Sequence, residues 1–225
     1  MKGRQNLVIA MAMLALWGQA CHAQDSVREQ EIAQCLPGEV STWGDNQDRP
    51  ALQSPLLFVY QHGGAPAWFG ESLVLAAIAN AAIAWSQCSV RATVTPLVAG
   101  APLPSSAILI QWSDVGSRHN FGLANLSQKT LSLGSAAFQL LQTRNPAYDS
   151  RQTLQMVISH EVGHFFGVMA HSRRCVDVTS YYDNGKGESC FIRDGGIRQP
   201  GVEYRALLPT ACDIQRCRAA NGLGR

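Results

Sequence analysis

A chain of 225 residues, 46% of them hydrophobic, is long enough for one domain with a substantial core. Its formal charge of +2 comes from 18 basic and 16 acidic residues, and Lys2 and Arg4 in the first segment account for the excess. The rest is balanced and has no run of like charge, which excludes an electrostatic grip on nucleic acid or anionic membrane.

In chain order, residues 1–23 read as a secretory signal. Lys2 and Arg4 lead an apolar run, Leu7 to Trp17, and Ala23 is a small residue suited to cleavage. The run is short for a membrane span. A lipid anchor on Cys21 is the competing reading, against which stands Gly18-Gln19-Ala20, without the usual leucine three residues before the cysteine. Residues 24–55 are polar and irregular, an N-terminal arm. Leu56 to Tyr60 is a buried strand and His62 to Pro66 a turn. Glu71 to Gln87, rich in alanine and leucine, is a buried helix. Val90 to Thr95 and Ala107 to Trp112 are strands, and Phe121 to Leu126 pairs with Thr130 to Leu133. Ser135 to Thr143 has no clear assignment. Asp149 or Ser150 caps a helix from Arg151 to about Gly167, and Thr210 caps a closing helix to about Ala220. This order predicts an α+β domain over 56–225 with a helix packed on a sheet.

Seven cysteines are present, and loss of the leader removes Cys21 and leaves six, the even number of an exported, disulfide-bonded chain. Cys35 with Cys88, and Cys175 with Cys190, are the favoured pairs. Cys212 and Cys217 on one regular helix would hold their α-carbons roughly 8 to 9 Å apart, beyond disulfide reach.

The densest chemistry lies in His160-Glu161-Val162-Gly163-His164-Phe165-Phe166-Gly167, followed by His171. Residues four apart share a helix face, so His160 and His164 can hold one metal ion between them. Glu161 sits beside the first ligand, placed to take a proton from a metal-bound water. Gly167 lets the chain leave the helix through a left-handed residue, and His171 can return as a third nitrogen. Three neutral nitrogens with one open position suit a catalytic zinc. His62 and His119 are isolated histidines, with a second metal or plain packing as alternatives.

H-E-x-x-H-x-x-G with a following histidine resembles the metzincin zinc endopeptidases, and the surrounding chain resembles their matrixin branch. The supporting segments are Ala84-Trp85, Ala107 to Trp112, Phe121-Gly122-Leu123-Ala124, Thr153-Leu154, His171-Ser172 and Asp213-Ile214. The resemblance implies a metzincin-like fold: a twisted, mostly parallel sheet with an edge antiparallel strand, an N-terminal helix, a zinc-binding active-site helix and a C-terminal helix. It implies a secreted or periplasmic, monomeric zinc endopeptidase acting on protein or peptide, with no nucleic-acid partner and no membrane association after signal cleavage. His160, His164 and His171 would be the ligands, Glu161 the base and Tyr181 a contact to zinc or the oxyanion, with structural calcium left open. Phe121 to Leu126 would be the edge that pairs with substrate, and Asp177 to Gly187 would wall a side-chain pocket.

Two features depart from the family. Three residues instead of two separate Gly167 from His171, with Asp177 as fallback ligand, and Thr179 stands where a methionine is expected below the site. Cys35 is the one upstream thiol able to block zinc, against a structural disulfide. The rival functions are a zinc-binding protein that no longer catalyses and a zinc amidase acting on cell-wall peptide.

Overall fold

The computed structural model describes residues 27–199 and 202–223. The expected signal, 1–23, lies outside them. After a helical segment over 27–33 (α1) and an extended arm, the strands are β1 (Leu56–Gln61), β2 (Ala92–Pro96), β3 (Ala107–Trp112), β4 (Gly122–Asn125) and β5 (Thr130–Leu133). The helices are α2 (Glu71–Trp85), α3 (Ser135–Arg144), α4 (Ser150–Phe165) and α5 (Ala211–Ala220). The strands form one mixed sheet in the order β2-β1-β3-β5-β4. The first four run parallel and β4 joins the edge antiparallel to β5. The protein is thus α+β with a five-stranded mixed sheet.

Parallel strands covered by helices need apolar residues on both faces. β1 supplies them, with Leu56, Phe58, Val59 and Tyr60 all buried. α2 buries Val74, Ala77, Ile78, Ala81, Ala82, Ala84 and Trp85. It packs on α4, where the Trp85 indole donates to the Ser159 carbonyl at 2.8 Å. Gly163 makes that approach possible: a Cβ there would lie 2.5 Å from the Trp85 ring.

α4 starts where Asp149 accepts hydrogen bonds from the Arg151 and Gln152 amides, a cap that contributes about 1 kcal/mol. It stops at Gly167, whose φ is +101°. The Gly167 amide donates to the His164 carbonyl and the Val168 amide to the Gly163 carbonyl, the paired bonds of a Schellman ending. A side chain at 167 would also strike the Arg49 carbonyl, 2.0 Å from the Cβ position.

Several details differ from the sequence reading. The helix expected to reach Gln87 ends at Trp85, and Ser86–Cys88 tightens into a 3₁₀ turn. Ser135 to Thr143, without assignment, lies in α3, which buries only Phe138 and so carries little helical periodicity. The expected Cys35–Cys88 pair is wrong. Cys35 joins Cys212 and Cys88 joins Cys217, while Cys175–Cys190 forms as expected. Cys212 and Cys217 lie on α5 and point apart, each stapling a different distant segment. Cys175 and Cys190 anchor a satellite core with Val176, Ile192 and Tyr204 inside the loop-rich region before α5. No helix among the described residues is long and apolar enough to cross a membrane.

The arm is not a loose leader to the domain. Ala51 and Leu52 pack against the main core. The Trp43, Arg49 and Leu52 amides donate to the carbonyls of His171, Gly167 and Phe165. The arm therefore runs alongside the end of α4 and the loop that follows it.

Candidate metal centre

His160 and His164 project from one face of α4 with ring centroids 5.1 Å apart, and His171 brings its ring within 5.2 and 5.4 Å of them. One nitrogen from each of the three lies within 4.8 Å of the others, and all three residues are buried. The Nδ1 atoms are committed elsewhere. His160 Nδ1 meets the Val178 carbonyl at 2.9 Å, His164 Nδ1 the Val168 carbonyl at 2.8 Å and His171 Nδ1 the Asp45 carboxylate at 2.5 Å. Each acceptor fixes the proton on Nδ1, so each Nε2 keeps a free lone pair, the arrangement expected of metal-ligating histidines. His171 Nε2 is buried with no protein partner, and a buried polar atom without a partner costs stability unless something binds it.

Electrostatics favour neutral rings. Burial pushes His160 well below the usual histidine range, and its two histidine neighbours add to this. Burial also lowers His171, against the raising effect of Asp45. Asp45 itself is lowered: desolvation works against ionisation, but hydrogen bonds from the His171 ring and backbone outweigh it. The contact between them is a neutral imidazole donating to a carboxylate. Three imidazoles converging on one point can hold a metal ion and leave a position open.

Glu161 lies beside this cluster. Its Oε2 accepts the Ala124 amide of β4 at 2.8 Å. Burial raises its pKa, partly offset by His164 and by the Ala124 amide, so it is a stronger base than an exposed carboxylate. β4 comes this close because residue 122 is glycine: a Cβ there would lie 2.6 Å from Val157 and 2.9 Å from Glu161.

A cleft of about 410 Å³ opens over the three histidines and Glu161, floored by α4 and bordered by residues 120–124 and Leu126. Tyr181 lines it too, and its ring stacks on His171 with centroids 3.6 Å apart and planes 12° from parallel. Burial, then the charges of Glu161 and Asp45, raise the Tyr181 pKa, which keeps the hydroxyl protonated and able to donate. The loop Asp177 to Gly187 contributes only Tyr181 to the lining, which also includes Asn46, Met169 and Arg205.

The fallback ligand Asp177 is not in the cluster. Its carboxylate accepts from Ser172 at 2.6 Å, Arg174 at 3.0 Å and Thr210 at 2.6 Å. Thr179 is buried in the Asp177–Ser180 turn, where its hydroxyl donates to Asp213 at 2.6 Å and accepts from Arg216 at 3.1 Å. Cys35 is disulfide-bonded and cannot serve as a blocking thiol. His62 bonds Tyr60, and neither it nor His119 belongs to a metal-binding group among the described residues.

The sequence reading missed Asp45, Asp48, Asn46, Arg205 and Arg216. Nothing in a polar, aperiodic arm distinguishes the two aspartates from solvated ones.

No family model matches the chain, and no curated protein does. Among solved structures, a chain of the GM1 bound form of the ECX AB5 holotoxin superposes on 84% of this chain and 92% of its own, at 11% identity and a TM-score of 0.43. A likeness that loose carries no argument about fold or activity.

Proposed function

We propose that this protein is an exported zinc endopeptidase with a metzincin-like domain. The observation that carries the reading is the set of three buried imidazoles, each with Nδ1 occupied and Nε2 free, beside a buried carboxylate on an open cleft. His160, His164 and His171 would hold the ion. When bound, zinc supplies Lewis acidity, lowering the pKa of a water towards neutrality and polarising a carbonyl.

The chain's own residues do the rest. Glu161 takes the proton of the attacking water and delivers it to the leaving amine. Its raised pKa suits both halves of that transfer. The Tyr181 hydroxyl donates to the oxyanion that develops on the scissile carbonyl. β4, an edge strand bordering the cleft, offers main-chain pairing to an extended substrate. Its Ala124 amide is already taken by Glu161, so the edge orients the base while it receives the peptide.

Thr179 does not count against catalysis. Its hydroxyl is satisfied below the site and the neighbouring Val178 carbonyl holds His160. Three disulfides and the leader-like residues 1–23 support a secreted or periplasmic location.

The test is zinc analysis of the purified mature protein with casein digestion, with and without a chelator. We expect one zinc per chain and chelator-sensitive cleavage. Glu161→Gln should keep the zinc and lose about 10²- to 10⁴-fold in rate. Zinc without proteolysis would leave a binding protein, and digestion of purified wall peptide alone would mark an amidase.

A further inference from the structure

We propose that arm residues 41–52 are part of the metal centre, with Asp45 the positioning residue that fixes His171 as third ligand. This rests on the metal-site reading above and adds a part that lies outside the H-E-x-x-H segment.

The three histidines are held in unlike ways. His160 and His164 stand on a helix, and neutral backbone carbonyls orient their rings. His171 stands on a loop and has no helix to fix it. A single carboxylate does so instead. Asp45 accepts the ring Nδ1–H on one oxygen at 2.5 Å and the His171 backbone amide on the other at 3.0 Å. Two contacts from one rigid group set both the backbone and the ring direction of the same residue. The His171 carbonyl is held by the arm as well, through the Trp43 amide at 3.0 Å.

The loop leading to His171 is gripped in the same manner. Asp48 accepts the Met169 amide at 2.8 Å and the Ala170 amide at 3.0 Å. Arg216 of α5 binds Asp48 through two nitrogens, at 3.0 and 2.9 Å, and donates to the Ala170 carbonyl at 2.5 Å. Met169 and Ala170 belong to the lengthened connection after Gly167, and the arm gives both of their amides an anionic acceptor. Cys35–Cys212 ties the chain just before this strap to the same helix that carries Arg216. His171 Nε2 is buried without a protein partner, and the strap's contacts aim that lone pair. A carboxylate behind a ligating imidazole also raises the ligand's basicity, and losing one typically costs 10- to 100-fold in metal affinity.

The experiment compares the mature wild-type chain with Asp45→Ala, Asp45→Asn and His171→Ala. Zinc affinity is read by competition with a chromogenic chelator, and ligand geometry by the visible absorption of the cobalt-substituted proteins. We expect Asp45→Ala to bind zinc about 10- to 100-fold more weakly, with cobalt bands displaced from wild type. Asp45→Asn keeps the side-chain volume and carries the test if the alanine variant does not fold; it should fall between the two. Wild-type affinity and an unchanged cobalt spectrum in a folded Asp45 variant would overturn the proposal. If His171→Ala kept wild-type affinity while the Asp45 variants lost it, the ligand assignment would fall instead. A wild-type chain that binds no zinc would remove both.

Discussion

His164 and His171 occupy equivalent places around the same point, yet they are built from different kinds of information. His164 inherits its position from α4, where a four-residue spacing and an N-cap put it beside His160. His171 inherits its position from Asp45, 126 residues away in sequence. One imidazole is a product of local helix geometry and the other of long-range closure. A motif can therefore be complete on paper while one of the three proposed ligands depends on a segment that carries no motif.

Three perturbations separate the two kinds of support. Removing Cys35–Cys212 in a double alanine variant cuts the arm's covalent tie to α5; with a sequence separation of 177 between the two cysteines, the cost should be about 3–5 kcal/mol in denaturant unfolding. That variant should also bind zinc more weakly, because the strap is then held to α5 without its covalent anchor. Gly167→Ala forces a side chain into positive φ and onto the Arg49 carbonyl. It should cost about 3 kcal/mol and again lower metal affinity, since the loop to His171 starts there. Asp149→Ala removes the helix cap on the other limb and should cost about 1 kcal/mol. Its zinc affinity should match wild type. A large loss of affinity in the cap variant, or none in the Gly167 variant, would erase the distinction.

The same contrast sorts what could be read from the sequence. His160, Glu161 and His164 were legible because a helix converts spacing directly into direction. β1 and β3 were legible because their apolar runs are largely buried, and Thr210 because threonine is a favoured N-cap residue. α3 was not, because one buried phenylalanine leaves no stripe. The cysteines on α5 could be kept apart by helix geometry, but their partners could not be chosen, since sequence does not say which distant segment a helix meets. Thr179 looked like a defect when judged as a missing methionine. In the fold it is a hydrogen-bonded member of a network with Asp213 and Arg216. Asp45 and Asp48 gave no sign at all, because a carboxylate aimed at a backbone amide has the same composition as one aimed at water.

Both long-range disulfides end on α5, at Cys212 and Cys217. The order of synthesis then matters, because the arm emerges before the helix that anchors it. Until α5 is made, the strap can be neither tied to it through Cys212 nor backed by Arg216. The support behind His171 therefore closes only when α5 meets the arm.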